Sequence, residues 1–233
     1  MELDRRTLIT TTLSAAAGLA TTVLGAAPGE AARPSWDPDQ GVTAPEDLMK
    51  EHGVLNRCLL IYEEGLRRLR AKEEVTPAVF QHTATLIRHF VEQYHEKNEE
   101  NYIFPQFKRA GKLTDLVAML LKQHKAGRVV TAEILHLSTP AMFADAQNRE
   151  RLVTAVESFI RMYRPHEARE DTVLFPALRT ILPPQQVASL GDRMEEAEHK
   201  VLGNEGFERS VDQVAAIEKQ LGIYDLRQFT PHG

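Results

Sequence analysis

The sequence contains one motif twice, as HEKNEENYIFP at residues 95–105 and as HEAREDTVLFP at residues 166–176. Each copy begins with His-Glu, has a second Glu four residues after the His, and ends in Phe-Pro. In an α-helix, residues four apart differ by about 40° in direction and lie one turn apart on the same face. If both copies are helical, the spacing places His95 beside Glu99 and His166 beside Glu170.

Each copy is preceded by a helical pattern that carries one further histidine. His52 lies 43 residues before His95, and His124 lies 42 residues before His166. Each half is therefore a helix with one His followed by a helix with His-x-x-x-Glu, and the two helical hairpins can face each other about a pseudo-twofold axis. The histidines fall on apolar stripes that face the core, where an unpaired polar group is costly.

Four histidines and two glutamates related in this way predict a buried metal centre. A single core histidine is more often hydrogen-bonded than a ligand, and surface His-x-x-x-Glu pairs occur as ordinary helix neighbours. Six residues that match in type, face and repeat position favour ligation instead. Imidazole suits iron, copper and zinc, whereas carboxylates favour harder ions and can bridge two of them. We predict two iron ions bridged by carboxylates, with the ligands His52, His95, Glu99, His124, His166 and Glu170.

The rest of the chain is helical in pattern, without an alternating run long enough to predict a strand. Thr76-Pro77 and Pro183-Pro184 are typical helix starts, and Gly111 is a typical stop. Helices are predicted at about 45–74, 76–109, 114–139, 147–182, 183–202 and, from a weaker pattern, 212–221. The fold class is therefore all-α: four long helices with short connections favour an antiparallel up-down four-helix bundle with one or two additional C-terminal helices.

With these residues in place, the chain resembles the hemerythrin-like, or HHE cation-binding, family over roughly residues 45–180. The pattern H…HxxxE…H…HxxxE and the Phe-Pro that follows each Glu carry the resemblance. It implies an antiparallel four-helix bundle around a non-haem di-iron centre that binds oxygen or related small ligands.

One position differs from the oxygen-carrying members of that family, and a second offers two candidate ligands. Those proteins have a second His one turn after the first on the third helix, where this chain has Arg128. They also use an Asp five residues after the last His, and Asp171 is available at that spacing. We prefer Glu170 as the ligand because the repeat matches it to Glu99. The loss of a His ligand favours sensing or redox chemistry over reversible oxygen carriage.

Four further residues are candidates for the surroundings of the metals. Tyr102 and Tyr163 are adjacent to the ligand stripes and could donate a hydrogen bond to a small molecule in the site, although an amphipathic core role is the commoner one. Asp171 could orient a ligand. His199, on the fifth predicted helix, could reach over the end of the bundle as an extra ligand.

Composition limits the other functions that the chain can have. Of 233 residues, 42% are hydrophobic and 26% are charged, which is typical of one globular domain with extensions. A net charge of -5 without a basic block excludes the usual electrostatic pattern of nucleic-acid binding. The single Cys58 excludes an internal disulfide and a cysteine-based zinc cluster, and we interpret it as a small core residue.

The N-terminus has the layout of a signal peptide. Arg5-Arg6 precede a weakly apolar run from Leu8 to Ala27, and the pattern is similar to a twin-arginine export signal. We predict a signal peptide at 1–32, a linker at 33–45, the bundle at 46–182, and flanking helices with a tail at 183–233. Export to the periplasm or another extracytoplasmic compartment follows, with no stable membrane span after signal removal. An uncleaved membrane anchor is the alternative.

Three functions are compatible with these residues. The first is a non-enzymatic di-iron protein that binds or senses oxygen or nitric oxide, or that handles iron. The second is a di-iron oxidoreductase that acts on peroxide or nitric oxide. The third, a ferritin-like protein, is disfavoured because that family uses Glu-x-x-His in a glutamate-rich set. No general base, substrate pocket or electron-transfer partner is identifiable, so we expect the first function and assign no catalytic residue.

Overall fold

The computed structural model describes residues 43–231, and this part of the chain is helical, without a β-strand. The all-α prediction is therefore confirmed. The main elements are α1 (Ala44–Ala71), α2 (77–110), α3 (Thr114–Leu137), α4 (146–181), α5 (Pro184–Val201) and α6 (Gly206–Leu221). Two short helical segments, Pro140–Phe143 and Leu226–Phe229, complete the described secondary structure. The predicted signal peptide and most of the predicted linker lie outside the described residues.

Side chains at the helix starts satisfy N–H groups that have no partner inside the helix. Before α1, the backbone N–H of Thr43 donates to Glu46 Oε2 at 3.0 Å, which is half of a capping box. Before α4, Asp145 Oδ1 accepts the N–H of Asn148 at 2.9 Å. Both helices begin within a few residues of their predicted starts.

The sixth helix begins earlier than the sequence predicts. It starts at Gly206 instead of near Asp212. Its N-terminal turn is stabilised by a residue of the preceding helix, since Glu198 Oε1 accepts the N–H of Phe207 at 2.8 Å. This cap from Glu198 stabilises helix N-terminal to the start that the sequence predicts.

Helices α1 to α4 form the frame of the fold. Both α1 and α3 pack against α2 and α4, while α6 lies against α1 and α2, and α5 lies against α1. Two hydrophobic clusters fill the interior. The larger one includes Tyr62, Phe80 and Phe159, and the smaller one includes Leu48 and Phe104.

A layer of buried polar side chains separates the two hydrophobic clusters. Along α1 the chain passes from the smaller cluster through the polar layer to the larger one, and along α2 it returns in the opposite order. The same two passages recur along α3 and α4. Each of the four helices therefore crosses the polar layer once.

The helices α2 and α4 widen into π-helical turns at this layer. In α2 these turns are Ile87–His95 and Glu99–Ile103, and in α4 the turn is Glu170–Leu174. A proline ring clashes with the carbonyl four residues earlier and has no N–H to donate. Pro105 and Pro176 each lie two positions after the end of one of the last two turns, and the wider turn relieves that clash. The sequence predicts an uninterrupted second helix and a fourth helix broken in character by Pro165 and Pro176. The fourth helix is continuous at Pro165, and the π-helical turns near Pro105 and Pro176 were not predicted.

Among the described residues, every helix is too short or too polar to span a membrane. Cys58 is fully buried in the larger hydrophobic cluster, as a small core residue should be.

Candidate metal centre

The six predicted ligands converge in the polar layer. They come from all four helices of the frame: one from α1, two from α2, one from α3 and two from α4. Each is at most 4% exposed, namely His52, His95, Glu99, His124, His166 and Glu170. They form two groups of three, each with ligand atoms within 4.8 Å of one another.

The first group consists of His52, His95 and Glu99. The two imidazole rings lie with their centroids 4.7 Å apart. Glu99 Oε2 is 3.7 Å from His95 Nε2. A histidine of α1 thus meets the His-x-x-x-Glu pair of α2, as the first half of the repeat predicts.

The second group consists of His124, His166 and Glu170. The two Nε2 atoms of the histidines are 3.2 Å apart, and Glu170 Oε2 lies 3.1 Å from His166 Nε2. This group brings α3 and α4 together, as the second half of the repeat predicts.

The two glutamates connect the groups. Glu99 Oε2 lies 3.4 Å from His124 Nε2 of the second group. Glu170 Oε2 lies 3.5 Å from His52 Nε2 of the first group. Each carboxylate therefore faces one histidine from each half.

The carboxylate oxygens of this cluster have no hydrogen-bond donor. Both side-chain oxygens of Glu99 and both of Glu170 are buried without a hydrogen-bond partner. Burial, with Glu170 close by, raises the pKa of Glu99 well above its ordinary value. Burial acts in the same direction on Glu170, but His166 and His52 hold the pKa of its carboxyl below the usual range. Buried carboxylates of this kind normally pair with a cation or bind a metal.

An outer layer of polar side chains orients the four histidines through their Nδ1 atoms. His52 Nδ1 lies 2.7 Å from Asp171 Oδ1, and His95 Nδ1 lies 2.7 Å from Glu51 Oε2. Such contacts leave Nε2 directed at the centre and set the tautomer of the ring. Burial lowers the pKa of His52, but its contacts with Asp171 and Glu170 outweigh that effect and raise it to about 10.

The second group has the equivalent outer contacts. His124 Nδ1 lies 3.2 Å from Glu100 Oε1, and His166 Nδ1 lies 3.0 Å from Gln123 Oε1. Gln123 and its counterpart Glu51 were not among the predicted site residues. Both directly precede a ligand-type histidine, in KEH and KQH, and that repeated position was the available signal.

The amino-acid sequence of the chain also matches a known protein family. The family model described as the hemerythrin HHE cation-binding domain matches residues 43–178, which is more than half of the chain. The chain belongs to this hemerythrin family. The family and the buried His/Glu groups together indicate a metal-binding protein.

Relatives of this hemerythrin domain protein occur in mycobacteria. Uncharacterized proteins of Mycobacterium tuberculosis and Mycobacterium bovis are 47% identical over 231 residues, covering 97% of this chain and 91% of each relative. No solved structure matches the chain.

Arg128 occupies the position at which oxygen-carrying hemerythrins have a further histidine. Its guanidinium donates to Glu96 Oε2 and to Glu100 Oε1, both at 2.6 Å. Glu96, Glu100 and His124 also lie close enough to one another to hold an ion. Since Arg128 already donates to both carboxylates, we do not assign a metal to that third combination.

The remaining candidate residues of the hemerythrin domain have different locations. Tyr163 is buried beside His166, and its hydroxyl donates to Glu96 Oε1 at 2.7 Å. Asp171 contacts His52 as described. Tyr102 is half-buried against the smaller hydrophobic cluster. His199 is exposed on α5, and it belongs to neither group of converging side chains in the described residues.

Proposed function

We propose that this hemerythrin domain holds two iron ions and that the protein binds or senses a small ligand such as oxygen or nitric oxide, or handles iron. The first group would hold one ion and the second group the other. Glu99 and Glu170 would bridge them, because each carboxylate faces histidines of both groups.

The observation that carries the proposal is the pair of buried carboxylates without a donor. Leaving a buried ionised group unpaired is strongly unfavourable, and these two lie among inward-facing imidazole nitrogens. The chemistry of the donor set fits a cation, with nitrogen and oxygen ligands that suit iron and no thiolate that would favour a softer metal.

The residues of the chain define what such a centre would do. Each group supplies two histidines and a shared carboxylate, and iron bound there would offer a redox-active ion with room for an external ligand. Asp171, Glu51, Glu100 and Gln123 would fix the imidazole rings in orientation. The two hydrophobic clusters exclude bulk water from the centre.

A di-iron oxidoreductase acting on peroxide or nitric oxide is the second candidate. Arg128 favours it, because this side chain stands where a further histidine ligand would be and is engaged with Glu96 and Glu100. An ion with fewer protein ligands is more open to a reactant.

We propose the antiparallel up-down bundle as the arrangement of α1 to α4. The order in which each helix meets the two hydrophobic clusters supports it, since that order reverses from one helix to the next.

We also propose export by a twin-arginine signal at residues 1–32, on the sequence pattern alone. Replacing Arg5 and Arg6 with lysine should leave the protein in the cytoplasm. Unchanged export of that variant would exclude the twin-arginine route.

The central experiment is anaerobic purification with metal analysis, followed by optical spectra before and after addition of oxygen, nitric oxide or peroxide. Two iron ions per chain and a spectral change with oxygen or nitric oxide are expected. Fewer than two iron ions at full loading would contradict the two-iron proposal. Peroxide consumption over many turnovers would favour the oxidoreductase.

A further inference from the structure

The two halves of the centre are matched in their ligands but not in their charge. By the repeat, His52 corresponds to His124 and His95 corresponds to His166. The same correspondence relates Glu51 to Gln123 in the outer layer. A carboxylate in the first half thus stands where the second half has a neutral amide.

This difference acts directly on the ligands. Glu51 Oε2 accepts from the Nδ1 side of His95 at 2.7 Å, and Gln123 Oε1 does so for His166 at 3.0 Å. A carboxylate that accepts a hydrogen bond from an imidazole makes the opposite nitrogen a stronger ligand, and a neutral amide does so less. His95 is therefore the stronger donor of the two.

The other outer carboxyl groups also differ between the two halves, in whether a lysine or arginine pairs with them. Beside the first group lie Asp171, Glu51 and Glu167, and none of the three forms an ion pair with a lysine or arginine in the described part of the chain. Glu167 Oε2 instead accepts from the neutral amide of Asn56 at 2.5 Å.

Beside the second group, the corresponding carboxylates are neutralised. Glu96 is bound by Arg128, the counterpart of Asn56. Glu100, the counterpart of Asp171, is bound by Arg128 and by Lys97, whose Nζ lies 2.6 Å away. In the described part of the chain, three carboxyl groups without a lysine or arginine partner thus lie beside one group, whereas the two beside the other are paired with Arg128 and Lys97.

We propose that this outer layer makes the two metal positions unequal, so that the first group binds its ion more tightly and is filled first. The inference rests on the proposed two-iron centre. Glu51 and Gln123 are the positioning residues that contribute to the difference through His95 and His166. Changes to such outer contacts alter metal affinity by about 10- to 100-fold, which is the size of difference expected between the two positions.

The test is an anaerobic titration of the metal-free full chain with ferrous ion against a competing chelator. Two binding steps separated by about tenfold or more are expected. Crystals grown with one equivalent of iron should show anomalous scattering at His52 and His95, with little at His124 and His166.

Reciprocal variants assign the difference to the outer layer. Glu51→Gln should weaken the first step, and Gln123→Glu should strengthen the second, so that each brings the two affinities closer together. Glu150→Gln and Gln185→Glu make the same charge changes at exposed positions of α4 and α5 and should leave both steps unchanged. If Glu51→Gln does not fold, the wild-type scattering and Gln123→Glu still decide the question.

The outcomes separate the two proposals. Two iron ions of equal affinity, or a first equivalent bound at His124 and His166, would overturn the inequality and leave the two-iron centre standing. Fewer than two iron ions at saturation would overturn the two-iron centre itself, and the inequality with it.

Discussion

Tyr163 packs its hydroxyl group against the bare backbone of Gly127, so that a β-carbon added at Gly127 would lie 2.1 Å from the Tyr163 oxygen. The close approach lets Tyr163 of α4 pass the backbone of α3 and reach Glu96 of α2. A glycine in the middle of a helix costs about 0.5–1 kcal/mol relative to alanine. Here it makes room for a buried hydrogen bond.

Gly127→Ala should therefore destabilise the protein despite the better helix propensity of alanine. Displacing Tyr163 is expected to lower the free energy of unfolding by about 1–3 kcal/mol, as overpacking does in other cores. Urea denaturation of the metal-free protein measures the change. Gly53→Ala is the control, because nothing lies within 4 Å of a β-carbon there, and it should be neutral or stabilising. Equal effects of both substitutions would show that the packing of Tyr163 contributes little.

Replacing Glu99 with glutamine should have opposite effects on metal binding and on the stability of the metal-free protein. The variant is expected to lose two-iron loading, since the amide is a weaker ligand. Its metal-free form should be more stable than the wild type at neutral pH, because a buried carboxyl without a donor is removed.

The stability difference between Glu99→Gln and the wild type should also depend on pH. The folded-state pKa of Glu99 is raised, so its contribution to stability is present below the unfolded-state value and is lost as pH rises. The stability difference should widen as pH rises above the ordinary pKa of 4.5, by up to about 1.4 kcal/mol per pH unit. Thermal denaturation in chelator at several pH values measures it. A gap that narrows with pH would contradict the assigned direction.

Metal binding should release protons. The pKa of His52 is raised to about 10, so this ring carries a proton in the metal-free protein at pH 7, and the raised pKa of Glu99 favours its protonated form too. A bound ion needs the deprotonated ligands, so the apparent affinity should increase from pH 6 to pH 9. Cobalt titration in a weakly buffered solution with a pH indicator measures the release. His199→Gln should release the same number of protons, since His199 is exposed and belongs to neither group. An affinity independent of pH would exclude protonated ligands in the metal-free state.

Arg128→Gln should destabilise the protein more than the loss of a surface ion pair does. Arg128 contacts two carboxylates, one of which, Glu96, is almost fully buried and would be left without its cation. We expect a loss of about 2–3 kcal/mol, measured by urea denaturation. Arg164→Gln removes an exposed pair with Glu63 and should cost less than about 1 kcal/mol. Similar costs for the two variants would mean that the Arg128 contacts are solvent-screened.

The all-α fold and the convergence of the six side chains were predictable because they follow from periodicity. Residues four apart share a helix face, so His95 with Glu99 and His166 with Glu170 were placed by helix geometry alone. The duplicated pattern then predicted that the two pairs meet. The structure brings them together with His52 and His124.

Features that depend on contacts between helices were harder to predict from the sequence. Glu51 and Gln123 belong to the site only because His95 and His166 approach them from other helices. The start of α6 depends on Glu198, a residue of the preceding helix. The π-helical turns before Pro105 and Pro176 are a different case, because they follow from a clash within one helix that the apolar pattern does not encode.

The polar layer also bears on how the folded chain persists. Every helix from α1 to α4 contributes at least one side chain to it, from His52 near the start of the domain to Glu170 near its end. Two metal ions held there would act as a crosslink between distant segments. A ligand that binds only the folded state stabilises that state in proportion to the logarithm of the ligand concentration over its dissociation constant. Iron supply would then set the lifetime of this protein as well as its activity, and chains that meet no iron would be the first to be degraded.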